Sequence, residues 1–451
     1  MPQSDIKPAL ERINSNQFKY KEFYEYYQGK HALNFASDKF KNKFGRRLQK
    51  MRENLCKIVV TAPASRLEII NFLADKKNTE NPAWKLWKKS KMPLHAGAVH
   101  REAFKTGDAF VIVWKDKQNN VRFYPQLAAN MTVWRNSETG EIEKAAKAWA
   151  GADGFYYLNL YYADRIEKYV TKGKSSVLPI NPNAFDQRHL QGEEFPLVNP
   201  FGRVPVFHFR FDADMQDFGN SLLSDVIPLN DALNKSWADI IGAQEENMRR
   251  RRYVAGMQVE TDEETGKKIN PFKPDDDVWF AGDDTTKFGE FSDADLTQML
   301  AVLEAAVKAV ALTSGIPPSY FNLEQTGSAI SGSALRKIEA RFTAIIEDAQ
   351  RSFGETWGEI INFGLEITNE KTASLEIETQ WTDASPVDES ETLDNAQKKI
   401  FLGWSYEQVQ RDYGLTDKQI EMMKAENAER EQSKMDMQQK MFDAGTSFIK
   451  E

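Results

Sequence analysis

Thr313-Ser314-Gly315-Ile316-Pro317-Pro318-Ser319-Tyr320-Phe321, with Ser331-Gly332-Ser333-Ala334-Leu335-Arg336 further on, decides the architecture. The adjacent prolines cannot continue a helix, because each lacks an N–H and its ring collides with the preceding turn. Before them, residues 292–314 repeat apolar side chains at helical spacing. After them, Gln325 to Ser333 is rich in Gly and Ser and reads as a flexible loop. A long helix is then predicted from about Ala334 to Thr368, with Leu335, Ile338, Phe342, Ile345, Ile346, Phe353 and Ile360 on its apolar side.

Upstream of the break, the spacing of Leu229, Leu233, Trp237, Ile240 and Ile241 predicts another helix from Ser224 to about Arg252. Pro228 falls in its first turn, where a proline is tolerated. Between this helix and the next lie the strand-like pieces Tyr253 to Val259 and Val278 to Phe280, joined by an acidic, turn-rich loop. Ser292 and Asp295 then have capping-box-like spacing. Helices of ~23–28 residues span on the order of 35–42 Å. Two of them with a small β-rich insertion at the far end form a stalk. Alone, that hairpin leaves apolar faces uncovered, so further copies or another domain must bury them.

The first half of the chain reads differently. Residues 1–60 are expected to be helical: Phe18, Phe23, Tyr26 and Tyr27 are apolar at near-helical spacing in a stretch ended by Gly29, and a second helix follows over about Asp38–Leu55. Residues 80–106 are expected to be helical too, with Trp84, Trp87 and Val99 packing inward. Phe110 to Trp114 and Val121 to Tyr124 flank turn residues and read as a hairpin. Strands are also expected over Lys144–Ala150, Tyr156–Tyr162, Glu167–Thr171 and Val204–Phe211, with a lone strand over Ser374–Trp381. The tail from Pro386 is helical, acidic and Met-rich, and its methionines fit adaptable packing against neighbours. The class is α+β, predominantly α.

Charge narrows the function. Residues 1–105 hold 22 Lys and Arg against 10 Asp and Glu, a balance of 22 − 10 = +12. The whole chain is at −8, so the remainder carries −8 − 12 = −20. That excludes a uniformly basic grip on nucleic acid. The single cysteine, Cys56, allows no internal disulfide and sits in an apolar stretch as a small buried hydrophobe. The N-terminal MPQSDIKPALERINSN lacks the apolar core of a signal peptide, and no uninterrupted apolar run reaches transmembrane length. A reducing compartment and no membrane are therefore expected.

Catalytic constellations are missing: no HExxH, GxSxG, Walker-type phosphate loop or GxGxxG occurs. No catalytic residue, metal ligand or cofactor is assigned, and His31, His95, His100, His189 and His208 read as structural. Asp275-Asp276-Asp277 and Asp283-Asp284 read as solvated turns, since adjacent acids point in different directions. Arg249-Arg250-Arg251-Arg252 ends the first stalk helix. It is either a favourable charge at a helix C-terminus or a positive collar facing phosphates or a neighbouring subunit's acids.

The order of these elements resembles the portal proteins of tailed double-stranded-DNA bacteriophages of the siphophage type. The likeness rests on YYQG (Tyr26–Gly29), GDAFVIVWKD (Gly107–Asp116), Phe123-Tyr124-Pro125, NPFGRVPVFHFR (Asn199–Arg210) and GNSLLSDVIPLNDALNKSWAD (Gly219–Asp239). The break quoted above and SGSALR complete it. The resemblance implies a ring, typically of twelve subunits, at one capsid vertex, through which the genome is packaged and later ejected. It divides the chain into a wing (1–218, with the long central helix and wing strand at 334–382), stem helices (219–252 and 292–314), and a small α/β clip (253–291). A helix break and tunnel loop (315–333) and a helical crown (383–451) complete the division. The implied partners are further copies of the chain, double-stranded DNA, the terminase large subunit, head-completion or adaptor proteins, and capsid and scaffolding proteins. The implied location is the virion, after assembly in the host cytoplasm.

Under that resemblance, Gln325, Thr326, Gly327, Ser328, Ala329, Ile330 and Ser331 form the tunnel loop facing DNA. They are small or polar and uncharged, and so do not trap a polyanion. Gly315, Pro317, Pro318 and Gly332 act as hinges, and Gly327→Pro or Gly332→Pro is expected to hinder packaging. The clip acids, Asp275 to Asp277, Asp283 and Asp284, form a surface for partners. Two alternatives stand beside this reading: another ring-forming connector or minor head protein, and a metal-dependent nucleic-acid enzyme.

Overall fold

A computed structural model describes residues 5–32, 52–73, 81–189, 194–248, 252–257, 261, 265–267, 285–290, 296–321, 332–368, 377–385, 389–412, 415 and 417–447. Its contacts divide the chain into two units. One comprises residues 1–31, 56–226 and 312–451, and the other 32–55 and 227–311.

The larger unit opens with α1 (Ile6–Tyr27). Ile6, Ala9, Leu10 and Ile13 share one face of this helix, and that face is buried. It covers Ala146, Ala148, Leu158, Leu160 and Tyr169 on one side of a six-stranded antiparallel sheet. The sheet runs β4 (Met131–Arg135), β5 (Ile142–Ala150), β6 (Tyr156–Tyr161), β7 (Arg165–Thr171), β8 (Phe185–Gln187), with β9 (Leu197–Val198) also pairing β7. Burying Leu10 completely is worth about 1.5–3 kcal/mol. Polar ties fix the register of the helix on the sheet. Lys144 donates to Asp5 at 2.8 Å, Tyr162 donates to the same carboxylate at 2.9 Å, and Arg12 donates to the Val133 carbonyl at 3.2 Å.

α2 (Leu55–Ser65) leads to β1 (Ile69–Leu73). Residues 80–106 are helical as expected, as two helices, α3 (Pro82–Lys89) and α4 (Met92–Thr106). They are separated at Lys91, which takes a left-handed φ of 58°. Asn81 caps α3 by accepting from the Trp84 N–H at 3.2 Å, with Pro82 in the first turn. Next come β2 (Asp108–Lys115) and β3 (Val121–Gln126), which with β10 (Val206–Arg210) make a three-stranded sheet in the order β10-β2-β3.

The central helix, α7 (Gly332–Ile367), is the spine of this unit. Trp357 meets Trp87 at 4.9 Å and Phe209 at 4.7 Å, and Phe363 meets Phe207 at 5.6 Å. Phe342, Ile346, Phe353 and Ile360 are buried as expected, whereas Ile338 is 39% exposed. The expected lone strand is not alone: β13 (Glu378–Trp381) pairs antiparallel with β1, from Ile69↔Trp381 to Leu73↔Glu378. Single-sequence periodicity shows a strand's faces but not its distant partner. The tail forms α8 (Glu389–Phe401), α9 (Tyr406–Asp412) and α10 (Asp417–Ser447).

In the smaller unit the first stalk helix is α5 (Ile227–Met248), beginning later than Ser224. Asn234 holds residue 53 from both sides, its Oδ1 accepting from the Glu53 N–H and its Nδ2 donating to the Glu53 carbonyl, each at 3.0 Å. β11 (Arg252–Ala255) pairs with β12 (Lys287–Glu290). The second stalk helix is α6 (Leu296–Ser314). The helix expected over Asp38–Leu55 and most of residues 253–291 lie outside the described residues. The protein is mixed α+β and mainly helical.

Candidate functional site

The helix break is a built feature. Gly315 ends α6 at φ 72°, a region closed to most side chains, and a Cβ there would come within 2.8 Å of Ile345 Cδ1 and 3.2 Å of Arg341 Nε. Arg341 donates to the Leu312 carbonyl at 2.8 Å, satisfying one of the open carbonyls at the helix end. Pro318–Phe321 then forms a single 3-10 turn, with the Tyr320 N–H bonded to the Pro317 carbonyl at 3.1 Å.

A latch that the sequence reading missed holds this turn to the central helix. Arg66, just beyond α2, donates to Tyr320 Oη at 2.5 Å, to Glu339 Oε2 at 3.0 Å and to the Ala384 carbonyl at 3.0 Å. Its guanidinium lies 5.7 Å from the Phe342 ring, on which Tyr320 also packs at 5.3 Å. Glu339 is buried to 4% exposure, and Arg66 is the cation that faces it. The only hint in the sequence was a polar residue recurring among apolar ones on α7.

A second junction holds the chain where it leaves the three-stranded sheet for the stalk. Asp108, fully buried at the start of β2, accepts from Tyr20 Oη at 2.6 Å, His208 Nε2 at 2.8 Å and the Gly219 N–H at 2.8 Å. Arg135 approaches the other ring nitrogen of His208 at 3.2 Å, which assigns the proton to Nε2 and leaves the ring neutral. Burial keeps the His208 pKa below its ordinary value despite Asp108. Burial and the Asp108 carboxylate both raise the Tyr20 hydroxyl. His208 and His100 are buried, and His31 stacks on Tyr26 at 4.1 Å, so these three histidines are structural.

A cavity of about 390 Å³ opens beside the break, lined among others by Asp212, Ser221, Asp225, Ser314, Arg341 and Asp348. Burial, with Asp214, Asp348 and Asp225 nearby, pushes the Asp212 carboxyl up. The surroundings are therefore acidic. Among the described residues no group of three or more His, Cys, Asp or Glu could hold a metal ion.

Of the sequence-predicted site residues, the break brings together Gly315, Pro317 and Pro318. Gly332 is the first residue of α7 and not part of a loop. Gln325, Thr326, Gly327, Ser328, Ala329, Ile330 and Ser331 lie outside the described residues. So do Arg249, Arg250, Arg251, Asp275, Asp276, Asp277, Asp283 and Asp284. Arg252 starts β11. The most apolar long helix among the described residues is the stretch of α6 that carries Glu304 and Lys308. Thr297–Ser314 reaches a mean hydropathy of 1.2 over 18 residues, because its leucines, valines and alanines outweigh two charges. Those charges, Glu304 and Lys308, pair across one turn at 3.8 Å. A single helix of this kind also occurs in the cores of soluble proteins, so it does not by itself place the chain in a bilayer.

The chain falls among the structural proteins of bacteriophages. The chain belongs to the family described as phage portal protein, SPP1 Gp6-like, whose model matches residues 7–433. It is 21% identical over 402 residues to the portal protein of Mycobacterium phage D29, covering 82% of this chain and 77% of that one. It is 26% identical over 254 residues to the portal protein of Mycobacterium phage L5, covering about half of each, at 51% and 50%. Among solved structures, the neck of a native GTA particle computed with C12 symmetry aligns at TM-score 0.45 and 12% identity, over 82% of this chain and 94% of that one.

Proposed function

We propose that the protein is the portal vertex subunit of a tailed bacteriophage. Copies close into a ring, typically of twelve, around a channel that admits double-stranded DNA during packaging and releases it on ejection. The carrying observation is the match to the portal family along residues 7–433. The exposure of α6 supports it: Leu300, Val302 and Leu312 are 50%, 55% and 73% exposed on a helix with apolar residues on several faces. A helix of that character needs covering, and neighbouring copies in a ring supply the cover.

The family resemblance implies a division into wing, stem, clip, tunnel loop and crown, and this is part of the proposal. So are a role for residues 325–331 at the narrowest part of the bore, for residues 249–252 as a basic collar and for the clip acids as a surface for partners. The acidic surroundings of the break agree with a bore that does not adhere to phosphates. Terminase, head-completion, capsid and scaffolding proteins are the proposed partners, in the virion and, during assembly, in the host cytoplasm. Gly327→Pro remains the variant expected to block packaging. Gly332→Pro is expected to be mild, since proline is favoured at the first helical position.

Negative-stain imaging of the purified protein tests the reading. Rings with a central hole support it. A compact monomer at every concentration, and in particles as well, would overturn it.

A further inference from the structure

The outer face of the six-stranded sheet carries two cations, Lys147 and Arg188, that form no ion pair with another described residue. The face opposite α1 is built from the alternate residues of β5 and β6, with Trp149 paired to Tyr157 and Lys147 to Asn159. Trp149 and Tyr157 stack at 5.4 Å and 21°. Lys147 Nζ lies 4.3 Å from the Trp149 ring. The Arg188 guanidinium lies 4.9 Å from the Tyr157 ring and 5.7 Å from Trp149.

Arg188 is fixed from below. Its N–H donates to the Lys168 carbonyl at 2.8 Å, and Nη2 reaches Asn159 Oδ1 at 3.4 Å. Its Nε is buried and has no acceptor among the described residues. Neither Lys147 nor Arg188 forms an ion pair among the described residues. Burial, with Arg188 nearby, holds the Lys147 ammonium below its ordinary range. Two like charges are thus held side by side on a rigid aromatic shelf, with donors to spare and their hydration reduced. An anion placed between them gains charge-assisted bonds to both, and Arg188 already has its guanidinium oriented.

We propose that Lys147, Arg188, Trp149 and Tyr157 form a docking site for a carboxylate-bearing, acidic segment of a partner protein. A short acidic segment fits better than a nucleic-acid duplex. Asp153 accepts from Tyr157 Oη at one side of the shelf, and exposed Asp186 stands two residues before Arg188. These carboxylates repel the fixed, closely spaced phosphate rows of a duplex, while one side-chain carboxylate of a short flexible peptide reaches the two cations between them. The site stands whether or not the chain encloses a channel.

The test is fluorescence anisotropy of labelled hexaglutamate with the full-length protein at low salt, with a labelled 12-base-pair duplex as the rival probe. Hexaglutamate is expected to bind, and Lys147→Gln/Arg188→Gln to weaken it at least tenfold, while the exposed control Lys117→Gln leaves it unchanged. Equal affinity in the double variant, or tighter binding of the duplex lost in that same variant, would overturn the proposal. If the double variant does not fold, the wild-type protein decides. Saturating hexaglutamate is expected to protect Lys147 from acetylation, read by mass spectrometry, and an unprotected Lys147 overturns the site.

Discussion

Gly107 and Gly219 touch backbone to backbone. Gly107 ends α4 at φ 87°, and a Cβ added to it would sit 2.5 Å from the Gly219 carbonyl carbon. A Cβ on Gly219 would fall inside contact with the carbonyl oxygens of both Gly107 and Phe211. These two glycines open the GDAFVIVWKD and GNSLLSD stretches, so two motifs 112 residues apart meet at one point. Around them the Phe211 N–H bonds the Gly107 carbonyl and the Asn220 N–H bonds the Phe211 carbonyl, both at 2.8 Å.

Gly219→Ala therefore has nowhere to place its methyl group, because its neighbours are backbone atoms already committed to hydrogen bonds. The expected cost is about 3 kcal/mol or more, within the range of severe point mutations. Gly173→Ala, with open space around it, is expected to be neutral. Gly140→Ala, also in open space but at φ 74°, carries only the backbone strain of about 1 kcal/mol. Chemical denaturation of the three variants checks the order.

His100 makes the fold acid-sensitive. It accepts from Trp357 Nε1 at 3.0 Å, which requires an unprotonated ring nitrogen. Burial pushes its pKa down to about 3 from the ordinary 6.5. A histidine depressed in the folded state gives its full contribution above the unfolded value and loses it as pH falls from about 6.5 toward 3. The unfolded chain takes up the proton first. At pH 5 the loss is about 2 kcal/mol. His100→Gln keeps an acceptor for Trp357 but does not titrate, so its urea midpoint is expected to fall less between pH 7 and pH 5. A fall equal to that of the wild type would show that other groups govern acid sensitivity.

The Arg66 latch carries a third expectation. Arg66→Ala leaves Glu339 buried without a counter-charge, at a cost of about 3–5 kcal/mol. Adding Glu339→Leu removes the stranded charge and is expected to recover much of that loss. A double variant as unstable as Arg66→Ala alone would mean that the packing of Arg66, and not the pair, matters. Limited proteolysis near Tyr320 is a second readout, since Tyr320 loses the hydrogen bond from Arg66.

Local rules explain what was legible beforehand. The proline pair fixed the end of α6, and helical spacing placed α5 and α7, because these depend on neighbours in sequence. β1, β4 and β8 escaped notice because each is short and depends on pairing. β1 gains its partner only when β13 folds back from residue 378. The same limit hid the candidate sites. Arg66 meets Glu339 across 273 residues, and Asp108 meets His208 across 100. A lone Arg, Asp or His has no sequence pattern to announce such a contact. The carboxylate shelf was hidden differently, because Lys147 and Arg188 share a face only through the register of β5 on β6 and the link from Arg188 to Lys168.

The proposed ring would cover the apolar surface of α6 with neighbouring copies. Leu300 and Val302 are two residues apart and so point to different sides of the helix, yet both are about half exposed. One docking partner on one side would leave the other residue wet, whereas a closed ring gives each subunit a neighbour on two sides. Leu300→Asp and Val302→Asp, made separately, are each expected to convert rings to soluble monomers, because a buried aspartate without a partner costs several kcal/mol at every repeated interface. Val307→Asp on the same helix is less exposed, and there the expected result is lost folding as well as lost assembly. Light scattering coupled to size exclusion measures the mass, and circular dichroism shows whether the monomer is folded. If Leu300→Asp and Val302→Asp both leave the wild-type mass unchanged, the stalk helix does not form the interface and the ring must close through other elements.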